Sequence, residues 1–308
     1  MIIDISEVNF MKIGVVTSGG DCPGMNAFIL ELAKLCSKTD CDLIGYIGGY
    51  KGVEENNFID LNFNSISGMS LGKRGGSILF TGRYENLKDD KKMIYLKQNL
   101  NKSGVDWLVV LGGDGSLRAA KKLSDLGTKV VGVPATIDND VKGTDYTLGF
   151  DTAINKTLEV INDIEDTATA MPGKIYIVET LGGDSGNIAK AAFDQGAADI
   201  ALIPEMPISD EELVNMVKEK FSNGNKYIII TICEGLKRTM HYSELLQQAL
   251  NRKVHVTIIG HKQRGGSPTA YDRYMAKQFA KQAFDLIKKN DYGKMVCYTL
   301  GKISNCNL

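Results

Sequence analysis

Residues 106–140, DWLVVLGGDGSLRAAKKLSDLGTKVVGVPATIDND, decide the fold. The run from Trp107 to Leu111 is continuously apolar and stops at two glycines, the pattern of a short strand covered on both faces. LRAAKKLSDLG (117–127) reads as a helix, and KVVGVPAT (129–136) repeats the apolar run. Strand, helix and strand in this order make a βαβ unit, whose two strands are parallel. Both strands end in polar turns. Asp114 stands among Gly112, Gly113 and Gly115, and the second run breaks into Thr136, Asp138, Asn139 and Asp140. Two carboxylates two residues apart in an extended segment point to the same side, so like charges crowd the end of a buried strand.

The alternation continues in both directions. KIGVVTSGG (12–20) and DLIGYIGG (42–49) read as strands. Between them a helix over 25–38 sets Ala27, Leu30, Lys34 and Leu35 along one side. Downstream, 151–164 has helical spacing with Ala153, Ile154, Leu158, Ile161 and Ile164 on one face. KIYIVETLGG (174–183), KYIIITICEG (226–235) and VHVTIIGHKQRGG (254–266) are strands again. Ser209 and Glu212 form a capping box for a helix over 210–221, and 272–289 is a last helix. The class is α/β, with parallel sheets covered by helices. Glycine turns and polar residues near 140–150 and near 260 mark domain crossings, and 308 residues fit a prior of about two domains.

Composition sets limits on function. Apolar residues make up 43% and charged residues 24%, as in an ordinary globular protein. A net charge of −1, without a run of five or six like charges, offers nothing to nucleic acid or an anionic membrane. No stretch approaches the ~18 apolar residues of a membrane span. The first ten residues lack the basic and apolar regions of a signal peptide. The six cysteines (22, 36, 41, 233, 297 and 306) show no CxxC or metal spacing and read as reduced thiols of a cytoplasmic protein.

Five strands end in polar, glycine-rich turns, and open parallel sheets bind ligands beyond the carboxyl ends of their strands. TSGGDCPGMN (17–26) can present N–H groups to an anion. It matches neither GxxxxGK[ST] nor GxGxxG and is equally a plain strand–helix turn. In LGGDGS (111–116) the glycines leave room for phosphates. Asp114 is a hard oxygen donor for Mg2+, which takes one or two carboxylates and completes its shell with phosphate and water. Beside a magnesium nucleotide, one carboxylate of TIDND takes the proton of an attacking hydroxyl and the other orients it. Aspartate is a weak base, which the loose transition state of phosphoryl transfer tolerates. The alternative for the segment read alone is an Asx turn. In TGRYENLK (81–88), Arg83 and Lys88 are either surface residues or charges for a transferring phosphate. Glu234 either bonds a sugar hydroxyl or caps the next turn. His261 and Arg264 in GHKQRGGSP suit a phosphate monoester, whereas His241 reads as surface.

In these motifs the chain resembles the phosphofructokinases of the ATP-dependent bacterial type. TSGGDCPGMNA, GGDGS, TIDND, KGTDYTLGFDTA and GHKQRGGSPTAYDR occur in that family's order and spacing, from about Lys12 to Tyr292. The resemblance implies two Rossmann-like three-layer domains with largely parallel sheets. Residues 1–149 plus 263–308 would bind nucleotide, and 150–262 would bind sugar phosphate. It implies a cytoplasmic homo-oligomer, a tetramer or a dimer, that uses Mg2+ and ATP to phosphorylate the 1-hydroxyl of fructose 6-phosphate in glycolysis. Carried over by position, Asp138 is the base, Asp114 the magnesium residue, and Arg83 and Thr136 surround the transferred phosphoryl group. Gly20, Tyr50, Tyr84, Lys88, Gly113, Gly115 and Ser116 fall where nucleotide is held. Asp140, Leu181, Gly182, Gly183, Glu234, His261 and Arg264 fall on sugar-phosphate positions. Pyrophosphate-using relatives carry an acidic residue and a lysine where this chain has Gly115 and Ala135, so the resemblance favours ATP.

The chain also departs from the pattern. Leu181-Gly182-Gly183 stands where the family reads Met-Gly-Arg. Lys174 and His255 stand where two arginines reach a neighbouring subunit's sugar 6-phosphate. Lysine lacks the bidentate fork, and histidine is only partly charged at neutral pH. These changes keep two other readings open: a regulatory subunit without catalysis, and a kinase of another phosphorylated sugar. The family's effector positions fall at Leu30, Lys34, Phe63, Asn223 and Asn225, where only Lys34 keeps a charge, so a weak response or none to ADP or phosphoenolpyruvate is expected. Met11 reads as a natural start after a ten-residue extension, and by comparison with the family's pattern no final helical tail is expected.

Overall fold

The computed structural model describes residues 11–308, the side chains of Asn86 and Lys88 excepted. The expected extension, residues 1–10, lies outside the described residues. In chain order, the elements begin with β1 (Met11–Ser18), α1 (Met25–Cys36), β2 (Cys41–Tyr46), α2 (Tyr50–Glu55), β3 (Phe58–Asp60), α3 (Phe63–Ser67) and α4 (Asp90–Lys102). Then follow β4 (Trp107–Gly112), α5 (Asp114–Asp125), β5 (Lys129–Pro134), α6 (Phe150–Ala170), β6 (Ile175–Thr180), α7 (Asn187–Asp194) and β7 (Ile200–Leu202). The last are α8 (Asp210–Ser222), β8 (Ile228–Cys233), α9 (Thr239–Leu250), β9 (Val254–Ile258), α10 (Ala270–Lys288), β10 (Lys294–Thr299) and β11 (Lys302–Asn307).

Two compact units result. The first holds the described residues to Thr136, with Val141–Gly149 and Gly266–Leu308; the second holds Ile137–Asp140 and Phe150–Gly265. The short segment 137–140 joins the second unit because side chains there bind its carbonyls, as described below.

The first unit has a seven-stranded sheet in the order β11-β10-β5-β4-β1-β2-β3. The inner run from β10 to β2 is parallel, and β3 and β11 are antiparallel edges. All six residues of β4 are buried, which is why it reads as unbroken apolar sequence. The register pairs Ser18 with Gly112 and Gly112 with Pro134. Three polar strand ends therefore lie side by side. Val16, Leu108, Val110, Ala119 and Leu123 belong to one buried cluster between sheet and helices. The buried face of α1 is traced by Met25, Phe28, Ile29, Leu32 and Cys36; of the expected side Ala27 is also buried, Leu30 and Leu35 are half-buried and Lys34 is exposed. A helix lying on a sheet buries a wide stripe, and spacings of three, one, three and four trace it. The edge strand β11, KISNCN, has no apolar run to announce it; pairing with β10 forms it.

The second unit has a four-stranded parallel sheet, β7-β8-β6-β9. Its two faces are covered separately. Ile177, Ile230, Leu213 and Leu246 pack on one side. Tyr176, Val178, Ile161 and Ala168 pack on the other. The helix α6 continues past 164 to Ala170, held by buried Ala168 where the apolar spacing has already faded. The capping box of Ser209 and Glu212 is present at the start of α8.

Candidate active site

The first unit builds a glycine-lined cradle at the adjacent ends of β1, β4 and β5. β4 ends at Gly112, and α5 begins two residues later with Gly113 as its N-cap. A Cβ on Gly112 would lie 2.6 Å from Ser116 Cβ and 2.6 Å from the Ser18 carbonyl oxygen, so only glycine fits there. Ser116 is buried, and its carbonyl accepts a 2.9 Å hydrogen bond from the Tyr50 hydroxyl. Gly19 abuts the Ser116 hydroxyl, and Gly20 follows it. The Gly19 N–H donates to the Gly82 carbonyl at 3.0 Å, which brings the exposed Arg83 to the same strand end. Thr136 lies against Gly113, Ala135 N–H donates to Gly112 O at 3.0 Å, and the Thr147 hydroxyl donates to Thr136 O at 2.6 Å. The start of α5, with its helix dipole, favours an anion at this spot.

Asp114 opens that helix. Its half-exposed carboxylate pairs with Arg118 one turn on, at 2.6 Å. Such an exposed pair is weak and gives way readily. Among the described residues no group of three or more His, Cys, Asp or Glu side chains could hold a metal. One carboxylate at a phosphate cradle fits magnesium carried on nucleotide phosphates, and not a metal caged by protein alone. A Cβ on Gly115 would meet nothing within 4 Å, so open space lies beside the cradle.

Two nucleotide expectations need correction or restriction. Tyr50 is fully buried and spends its hydroxyl on Ser116 O; it positions the turn and offers no side-chain surface to a ligand. The half-buried Tyr84 ring lies 6.5 Å from that of Tyr50. The Lys88 side chain lies outside the described residues.

In the second unit the TIDND segment is not extended. A turn at Ile137–Asp138 is followed by Asn139 in the left-handed region at φ 50°. The same-side placement of Asp138 and Asp140 therefore fails: Asp138 is half-buried, whereas Asp140 is exposed. The turn is held by groups outside the motif. Ser185 Oγ donates to Asp138 O at 3.0 Å, and Asn187 Nδ2 donates to Asp138 O at 3.0 Å and to Asn139 O at 2.9 Å.

The Leu181-Gly182-Gly183 turn lies next to it. Leu181 and Gly182 are buried and Gly183 is exposed, so the backbone of 183 is what this turn presents. Gly183 has φ 58°, a conformation that L side chains rarely adopt, and a Cβ there would come within 3.7 Å of Asp138 Oδ2. The Gly183 N–H donates to Glu234 Oε1 at 3.2 Å, and Glu234 opens a 3-10 turn through Leu236. Glu234 is thus at least a turn-holding residue. The buried Gln263 ties the remaining motif in: Oε1 accepts from Leu181 N–H and Nε2 donates to the Thr157 hydroxyl, both at 2.7 Å. His261 and Arg264 flank it, exposed and half-buried respectively.

Lys174 rests on the Met171 sulfur at 3.1 Å. His255 stacks on Tyr176 with ring centroids 5.3 Å apart. Burial first, then Lys253 and Lys174, push its pKa down, so the ring is neutral near pH 7. Burial raises the Cys233 thiol to about 11, which makes it an inert neighbour. Sequence reasoning did not single out Ser185, Asn187, Gln263, Thr147 or Thr157. The signal for two of them was the polar Ser-Gly-Asn that follows the Leu-Gly-Gly-Asp turn.

A model of the phosphofructokinase family matches residues 12–287. The chain is 39% identical over 285 residues to an ATP-dependent 6-phosphofructokinase of Oceanobacillus iheyensis, covering 92% of this chain and 88% of that one. Identity and coverage are the same for an ATP-dependent 6-phosphofructokinase of Tolumonas auensis. Among solved structures, Pichia pastoris phosphofructokinase in the T-state superposes with a TM-score of 0.90 at 26% identity. That match takes in 97% of this chain but only 35% of the yeast chain. With the family model spanning nearly the whole chain and the strand-end motifs in place, the chain belongs to the phosphofructokinase family.

Proposed function

We propose that this protein transfers the terminal phosphoryl group of ATP to the 1-hydroxyl of fructose 6-phosphate, forming fructose 1,6-bisphosphate in glycolysis. The observation that carries the reading is the first unit's cradle, where Gly19, Gly113, Asp114, Ser116 and Thr136 lie at the adjacent ends of β1, β4 and β5 beside the open space at Gly115. The names and 39% identity of the relatives support it.

The first unit takes the nucleotide and the second the sugar phosphate. Backbone N–H groups at the start of α5 hold phosphate oxygens, with Gly20, Gly113, Gly115 and Ser116 around them. When bound on Asp114, Mg2+ screens the negative charge of the transferring phosphates. Asp138 accepts the proton of the attacking hydroxyl oxygen. Arg83 and Thr136 offer positive charge and a hydroxyl to the transferred group. Asp140, Glu234, His261 and Arg264, with the 181–183 turn, orient the sugar phosphate. Lys174 and His255 serve a neighbouring copy in a homo-oligomer. A cytoplasmic location agrees with six free cysteines among the described residues.

The test is ADP release from ATP, Mg2+ and fructose 6-phosphate, with pyrophosphate as a parallel donor. Asp138→Ala should lower kcat by roughly 10²–10⁴; a loss under tenfold would assign the base elsewhere. Gly183, with no side chain, and the neutral His255 favour one second reading, a kinase of another phosphorylated sugar. Turnover with such a sugar but not with fructose 6-phosphate would establish it.

A further inference from the structure

The Asp138 turn has an unusual support. Asn139 stands at φ 50°, so the chain turns here, and the carbonyls of Asp138 and Asn139 face side-chain donors. Both are met by Asn187, the first residue of α7, at 3.0 and 2.9 Å. Its amide nitrogen carries two protons, and its third contact, 3.4 Å to Ser185 Oγ, is the longest. Ser185 has one proton for two acceptors, Asp138 O at 3.0 Å and Gly182 O at 3.2 Å. The helix behind them is fixed: Ile188 and Ala189 are buried, and the Thr231 hydroxyl donates to Ala189 O at 3.0 Å.

We infer that Asn187, assisted by Ser185, is a positioning residue for the reaction: a two-pronged clamp on a rigid helix start that holds the left-handed turn and so aims the Asp138 carboxylate at the acceptor hydroxyl. The inference rests on Asp138 being the base. Neither residue touches the reacting atoms; each acts through the backbone of 138–139. The proton count ranks them. Asn187 places a donor on each of the two carbonyls, whereas Ser185 reaches only Asp138 O and shares its single proton with Gly182 O.

The experiment compares Asn187→Leu, Asn187→Asp, Ser185→Ala and Ser185→Thr in the full chain. Asn187→Asp keeps the shape but turns acceptor atoms toward two carbonyls. Both Asn187 variants should lower kcat by about 10–100-fold, the cost of a misplaced catalytic group, with KM for ATP changed by less than about twofold. Ser185→Ala should cost less, and Ser185→Thr, which keeps the hydroxyl, should restore activity. Backbone amide exchange over 137–140, measured without ligand, should quicken in Asn187→Leu and not in Ser185→Thr. Unchanged kcat in both Asn187 variants overturns the inference. If wild-type protein is inert toward fructose 6-phosphate, the activity reading fails by itself. Exchange then decides the clamp: unchanged protection of 137–140 in Asn187→Leu overturns it, and faster exchange upholds it.

Discussion

On the proposed function, Gly115, with its lone hydrogen, leaves room for the phosphate donor. Its position in the first turn of α5 faces open space, with nothing within 4 Å of where a Cβ would stand. An acidic side chain there would fit the fold without strain and would set a negative charge beside the cradle. Gly115→Asp should therefore leave the melting temperature unchanged and raise KM for ATP tenfold or more, since a like charge at about 1.4 kcal/mol already gives that factor. Kinetics with ATP, beside a thermal melt, check both halves. Gly183 is the opposite case. Its positive φ is a conformation that L side chains rarely adopt, so an arginine written in at 183 would be strained.

Among the elements, the loops after β6 and β9 depend on a single buried amide. Gln263 satisfies Leu181 N–H and the Thr157 hydroxyl at once, and Thr157 in turn donates to Ala153 O at 2.8 Å within α6. Gln263→Leu fills the same space but leaves the Leu181 N–H without its partner. Equilibrium urea unfolding should show a loss of about 1–3 kcal/mol, the cost of a buried polar group left unmade. A loss under about 0.5 kcal/mol would mean that water replaces the amide. The first turn of α5 leans on Tyr50 in a similar way, through its hydroxyl on Ser116 O. That is why a tyrosine expected from the resemblance to hold nucleotide serves as a support.

For the molecule as a whole, the edge strand β11 closes the seven-stranded sheet. Leu308 packs against Gly132, and its N–H donates to Gly293 O at 3.0 Å. Removing residues 300–308 uncovers the edge of β10 and the cluster of Leu117, Val141, Met295 and Cys297. The shortened chain should lose at least about 2 kcal/mol, the burial of one leucine-sized side chain, and should aggregate through the exposed edge. Denaturant unfolding and light scattering check the two outcomes. The sequence by itself determined the α/β class, the apolar strands from β1 to β9 that read as such, and the strand-end motifs, because burial on two faces and glycine turns leave local marks. Only the tertiary structure decided that TIDND is a left-handed turn, that β11 is a strand, and that Ser185, Asn187 and Gln263 hold the turns of the site. The turn and its supports rest on hydrogen bonds between residues about 50 to 100 positions apart, and β11 on its pairing with β10; no local spacing of polar residues records which partner each will meet.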